Sequence, residues 1–98
     1  MNLPVILSAE ARAEFDEAAD WYGERSARLG DRFVDAVRDA LNRIRVAPQV
    51  YGIVWRDVRC ALVRRFPYAV YYRVKPEGAV VIAVIHTKRD SSVWQRRV

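Results

Sequence analysis

The sequence predicts one α+β domain over residues 1–98, with an N-terminal strand, an antiparallel helical hairpin and a small, mainly antiparallel sheet (β-α-α-β-β-β) that ends in a basic C-terminal tail. Two observations support this prediction. Residues 9–47 repeat apolar side chains at spacings of three and four, which is typical of helices with one packed face. Residues 57–87 alternate or run apolar in short stretches between turn residues, which is typical of strands.

The first two elements are a short strand and a long helix. Residues 3–7 alternate in polarity and predict a strand. Ser8 is suited to cap a helix that runs over about residues 9–27. The inward stripe of this helix consists of Ala11, Phe15, Ala18 and Tyr22. Its acidic side chains are interpreted as a solvated face: Glu14, Asp16, Glu17, Asp20 and Glu24.

A second helix is predicted over about residues 31–47. Leu29-Gly30 interrupts the apolar pattern, and Asp31 is a suitable first residue. The helix ends at Ala47, because a residue that precedes proline avoids helical geometry. Its apolar stripe covers the sheet, and the predicted contacts join Phe33, Val37, Leu41 and Ile44 to Val70, Tyr72, Ile82 and Val84.

Three further strands are predicted at about residues 57–65, 68–75 and 79–87, the last two joined by a turn at Pro76-Glu77-Gly78. The last strand is apolar on both faces, as expected of a central strand. Arg64 and Arg65 point to opposite faces if the first of these strands runs through them.

Charge and composition narrow the class of function. The net charge is +5, but residues 1–55 carry seven arginines against nine acids, whereas residues 56–98 carry ten cations against three acids. This asymmetry favours an acidic or polyanionic partner. One cysteine, Cys60, excludes an internal disulfide. No stretch approaches a membrane span, and no pattern for a metal or cofactor is present, so we expect a cytoplasmic protein without a cofactor.

The candidate functional residues are basic and aromatic, and they concentrate after residue 58: Arg59, Arg64, Arg65, Tyr71, Tyr72, Arg73, His86, Lys88, Arg89, Trp94, Arg96 and Arg97. His86, the only histidine, is either a structural residue or a proton carrier or contact at the edge of a site. Trp94 either anchors a partner or folds back on the sheet.

The order of these elements and several short motifs resemble the RelE/ParE toxin superfamily of bacterial toxin–antitoxin modules. The motifs are Phe15, Trp21-Tyr22, Leu29-Gly30 with Phe33, Pro48–Tyr51, Val58-Arg59, Phe66-Pro67-Tyr68 with Tyr71-Tyr72, and Ala83-Val84-Ile85-His86 followed by Arg89 and Trp94. The resemblance covers nearly the whole chain. It implies a small cytoplasmic toxin that is neutralised by a cognate antitoxin.

Within this superfamily, Ile85-His86 and Arg89-Asp90 look more like ParE-type toxins. The resemblance then implies a non-enzymatic poison that binds a topoisomerase such as DNA gyrase. The residues expected to contact the target are His86, Arg89, Trp94, Arg96 and Arg97. We expect them to be exposed.

The alternative is a RelE-like toxin that cuts messenger RNA on the ribosome without a metal. Its site residues would be Arg64, Arg65, His86, Lys88 and Arg89. The sequence departs from that branch, because Ala69 stands where the branch has an arginine, and Cys60 and Leu62 stand where it has lysines. Trp94 stands where it has a tyrosine, and an indole cannot carry a proton between groups.

Overall fold

The computed structural model describes residues 2–98, in which a five-stranded sheet carries two long helices on one face. Its elements are β1 (Val5–Leu7), α1 (Ala9–Arg25), α2 (Ala27–Val46), β2 (Ile53–Trp55), β3 (Val58–Leu62), β4 (Tyr68–Lys75), β5 (Gly78–His86) and α3 (Ser92–Gln95). The strand order is β1-β5-β4-β3-β2, with β1 parallel to β5 and the other neighbours antiparallel. The α+β class and the central place of the last strand are confirmed, and β2 and α3 are additional elements.

The second helix begins earlier than predicted, at Ala27 rather than Asp31. Ser26 caps it, since its hydroxyl accepts a hydrogen bond from the first turn. Gly30 does not interrupt the helix but lies where α2 crosses α1. A Cβ atom at Gly30 would lie 2.8 Å from the Cα of Gly23, so the missing side chain lets the two backbones approach.

The main core lies between the helices and the sheet. The stripe of α2 packs as predicted on β4, where Val70 and Tyr72 are fully buried under Phe33 and Val37. The aromatic rings of this core extend to the first residue of β4, where Tyr68 meets Phe33 with ring centroids 5.0 Å apart. The even-numbered side of β4 therefore faces the helices, as its period-two pattern indicates.

A β-bulge in β5 changes which of its side chains face the helices. Tyr71 pairs with Ala83, but Tyr72 pairs with Val81, so Ile82 is the extra residue. Ile82 consequently packs on the sheet face away from the helices, and Val81 takes the predicted place of Ile82 in the main core. The predicted contact of Ile82 with the α2 stripe is wrong, because the bulge breaks the alternation on which that prediction depended.

Candidate functional site

A groove lies between α1 and the outer edge of β5, and we call it the β5-edge groove. Its volume is about 570 Å³. Aromatic and charged side chains form most of its walls: Trp21, Tyr22, Tyr68, Glu14, Glu17, His86 and Arg89. Two of the predicted site residues, His86 and Arg89, thus come together in one concave surface.

The β5-edge groove exists because β1 is much shorter than β5. The three residues of β1 pair only with Ala79–Val81. The next residue, Ser8, donates its N–H to the carbonyl of Val81 over 2.9 Å, and the chain then enters α1. Within residues 2–98, no strand lies on the β1 side of β5 between Ile82 and His86, and only the opposite side is paired there, with β4. An uncovered strand edge presents backbone groups that another chain can bind.

Two side chains cover the first part of this edge. Glu14 Oε1 accepts the N–H of Val84 over 3.1 Å, and Arg97 Nη1 donates to the carbonyl of Ile82 over 2.8 Å. The carboxylate and the guanidinium also bind each other through two parallel hydrogen bonds of 3.0 and 2.9 Å. Hydrogen bonding to Glu14 raises the pKa of Arg97. The ion pair therefore joins α1, β5 and the C-terminal segment.

His86 ends β5 with its imidazole in a defined orientation. Its Nδ1 accepts the backbone N–H of Lys88 over 3.1 Å, and its ring meets Tyr68 at a centroid distance of 5.5 Å. A neutral His86 consequently carries its proton on Nε2. Burial raises the pKa of Tyr68, so this phenol is protonated near neutral pH. Together with Arg89, these groups make the β5-edge groove rich in hydrogen-bond donors.

The C-terminal segment folds back on the sheet and is not an exposed tail. Trp94 is only 4% exposed and stacks on Tyr71 with ring centroids 4.5 Å apart. It also meets Trp55 edge-on at 5.9 Å. These rings cover the sheet face away from the helices, which would otherwise expose an apolar surface.

The predicted exposure of Trp94 and Arg97 is therefore wrong. Trp94 is held by apolar burial, and Arg97 is held by its ion pair with Glu14. Of the predicted contact residues, Arg89 and Arg96 are exposed and His86 is partly exposed.

Arg64 and Arg65 lie in the turn after β3 and not in a strand. Arg65 has a positive φ of 71°, and both side chains are exposed. They border a second groove of about 700 Å³ beside α2, where Arg64 lies 3.9 Å from the carboxylate of Asp39. The five residues proposed for RNA cleavage are thus divided, because His86 and Arg89 line the β5-edge groove instead.

The sequence interpretation places Glu14 on the solvated face of α1 and misses its position at the edge of β5. Its spacing carries a signal, since Glu14 follows Ala11 by three residues and precedes Ala18 by four. It therefore lies in the buried stripe of the helix. A carboxylate in such a stripe indicates a buried cationic partner, but spacing alone does not identify Arg97, 83 residues away.

Two classes of feature are absent from the described part of the chain. Residues 2–98 contain no group of three or more histidine, cysteine, aspartate or glutamate side chains that could hold a metal ion. Over the same residues, no helix is both long enough and apolar enough to cross a membrane.

Comparison with known proteins gives a family match and a match of fold. Residues 5–91 match the family model described as the ParE toxin of the type II toxin–antitoxin system parDE. The fold is similar to a chain in the solved structure of the chromosomal ParDE toxin–antitoxin system from P. aeruginosa, with a TM-score of 0.64 and 19% identity. That similarity covers 86% of this chain and 95% of the other. No individually curated protein matches the sequence.

Proposed function

Because this chain belongs to the ParE toxin family of type II toxin–antitoxin systems, we propose that it arrests growth by binding and poisoning a type II topoisomerase such as DNA gyrase. As the toxin of such a module, it has a cognate antitoxin as its partner. We place its action in the cytoplasm, where the topoisomerase works on DNA.

The observation that carries the proposal is the arrangement of cations after β5. Lys88, Arg89 and Arg96 are exposed, and His86 is partly exposed beside them. Exposed guanidinium groups suit recognition of carboxylates and phosphates on a partner. Binding that depends on such contacts requires no proton transfer. The segment that carries Arg96 is held on the sheet by the buried Trp94.

The separation of the cations supports binding over RNA cleavage. A nuclease requires phosphate-holding and proton-transferring groups within hydrogen-bond reach of one scissile bond. Arg64 and Arg65 border a different groove from His86 and Arg89. In addition, Nδ1 of His86 accepts the backbone N–H of Lys88, so a neutral His86 presents an N–H donor and not a proton-accepting nitrogen to a partner.

Two assays with the purified protein test the proposal. The wild-type protein should inhibit gyrase supercoiling and leave ribosome-bound messenger RNA uncut. Arg89→Ala should weaken the inhibition by about tenfold, as expected for an arginine at an interface. Arg38→Ala removes an exposed arginine from α2 and should leave it unchanged.

The histidine separates the two candidate mechanisms. His86→Gln retains hydrogen-bonding groups but cannot take up and release a proton, so it should reduce gyrase inhibition only partly. Cleavage of messenger RNA by the wild type that falls about 100-fold in His86→Gln would replace the binding proposal with the nuclease alternative.

A further inference from the structure

Two backbone groups on the edge of β5 have no hydrogen-bond partner within residues 2–98: the carbonyl of Val84 and the N–H of His86. Both point outward. The N–H of Val84 reaches Glu14 outside the sheet, and the N–H and C=O of one strand residue point to the same side. His86 lies opposite Tyr68, whose carbonyl is bound by Val63 on the other side, so His86 also points away from β4.

The neighbouring hydrogen bonds determine which strand direction can use these groups. An antiparallel neighbour exchanges both bonds with a single residue. Val84 cannot offer both, because Glu14 holds its N–H. The carbonyl of His86 already accepts the N–H of Arg89 over 3.0 Å, which leaves its N–H as the free group. A parallel neighbour instead binds the carbonyl of one residue and the N–H of the second residue after it, which is the available pair. β1 already lies parallel to β5 farther along the same edge.

The Glu14–Arg97 pair fixes where such a segment begins. The Glu14 carboxylate binds the N–H of Val84, and the Arg97 guanidinium binds the carbonyl of Ile82. A residue of a parallel neighbour that lay opposite Ala83 would bind these same two backbone groups. The side-chain pair therefore replaces the first residue of an added strand, and the next residue that could bind β5 would lie opposite Ile85. One residue of an incoming segment, opposite Ile85, can bind the carbonyl of Val84 and the N–H of His86 without displacing any hydrogen bond of the domain.

The walls of the β5-edge groove indicate the side chains that this segment carries. Trp21 is 49% exposed and forms an apolar wall with Tyr22. Arg89 lies beyond the C-terminal end of β5, and a parallel segment runs toward it. The Glu17 carboxylate on α1 would repel an acidic side chain placed against the wall that α1 forms. A side chain opposite Ile85 points, like Ile85, to the sheet face away from the helices, so the next residue, opposite His86, faces this wall. These features fit an apolar side chain opposite His86 that is followed by an acidic one.

We propose that an extended segment of the cognate antitoxin, with an apolar residue followed by an acidic residue, adds to the edge of β5 in the parallel direction. This inference rests on the proposed function, because it takes the antitoxin as the partner. The segment covers His86 and Arg89, which the proposed function assigns to target binding. The antitoxin and the target thus compete for one surface, and neutralisation is direct occlusion.

Amide hydrogen exchange measured residue by residue tests the added strand. In the isolated toxin, the His86 amide should exchange quickly, whereas the Thr87 amide, bound to the carbonyl of Pro67 over 2.9 Å, should exchange slowly. In the complex with the co-expressed antitoxin, exchange at His86 should slow by about tenfold or more. A complex in which the His86 amide remains as fast as in the free toxin overturns the inference and leaves the proposed function standing.

Charge reversal gives the second arm of the test. Arg89→Glu should weaken antitoxin binding by about tenfold or more, and Arg38→Glu, an equal change on the exposed face of α2, should not. Equal effects of both variants would show general charge attraction and overturn the inference. Failure of the wild-type toxin to bind the antitoxin at micromolar concentration would overturn both this inference and the proposed function.

Discussion

Replacing Trp94 by alanine should destabilise the whole domain and not merely remove a contact with the target. The indole is 4% exposed and lies between the rings of Tyr71 and Trp55. Truncating a buried tryptophan costs about 3–5 kcal/mol, and a domain of this size has a total stability of about 5–15 kcal/mol. Because each 1 kcal/mol lowers Tm by about 4–8 °C in a domain of 60–100 residues, Tm should fall by about 12 °C or more.

Thermal unfolding followed by circular dichroism, combined with the gyrase assay, checks this prediction. Arg96→Ala is the matched control for stability only, because Arg96 follows α3 directly and is exposed. It should change stability by less than about 0.5 kcal/mol. Trp94→Phe keeps an aromatic ring on Tyr71 and should recover part of the loss.

The reasoning would be refuted if Trp94→Ala melts like the wild type. Such a result would mean that the C-terminal segment does not cover the sheet in solution. Loss of gyrase inhibition in that stable variant would then identify Trp94 as a contact residue after all. Loss of inhibition together with a large fall in Tm instead reflects unfolding.

Three further predictions concern stability. Gly30→Ala should lower the free energy of unfolding by about 1–3 kcal/mol, because its Cβ would meet the Gly23 backbone. Gly23→Ala has open space around the new Cβ and should raise the free energy of unfolding by up to about 1 kcal/mol. Denaturant titration measures both changes. Glu14→Gln should cost about 1–3 kcal/mol in the same titration, because it breaks the pair with the Arg97 guanidinium. The hydrogen bond from Arg73 lowers the pKa of Asp57. The contribution of Asp57 to stability is therefore present above the unfolded pKa of about 3.9 and is lost as pH falls through the lower folded pKa. Asp57→Asn removes this contribution, so Tm should fall less steeply below about pH 4 than in the wild type.

The sequence predicts the fold well where one periodic pattern governs an element. The strand over residues 68–75 is found with its predicted bounds, because Val70 and Tyr72 must face one core. The predicted start of α2 at Asp31 is wrong, because the sequence pattern makes Gly30 look like a break, whereas Gly30 allows close packing of the two helices. Local propensity cannot separate these two uses of glycine, since the second depends on Gly23 in another helix.

The candidate site was predicted in part. His86 and Arg89 were found from their positions at the end of an apolar strand, and they do share the β5-edge groove. The sequence leaves the burial of Trp94 as one of two alternatives, because a single helical turn is too short to show periodicity. The bulge at Ile82 has no local signature in an all-apolar run, yet it determines which backbone groups of β5 face outward.

The position of β5 in the sheet has a consequence for synthesis. It lies between β1 and β4, yet it is the last strand to leave the ribosome. Until Gly78–His86 emerges, β1 has no neighbour, and the apolar faces of α1 and α2 have only part of a sheet to cover. A chain that lacks β5 or the residues up to Arg96 therefore cannot present the proposed target surface. Under the proposed function, a new molecule becomes able to bind the target only after this segment folds, and it stays so until an antitoxin binds it.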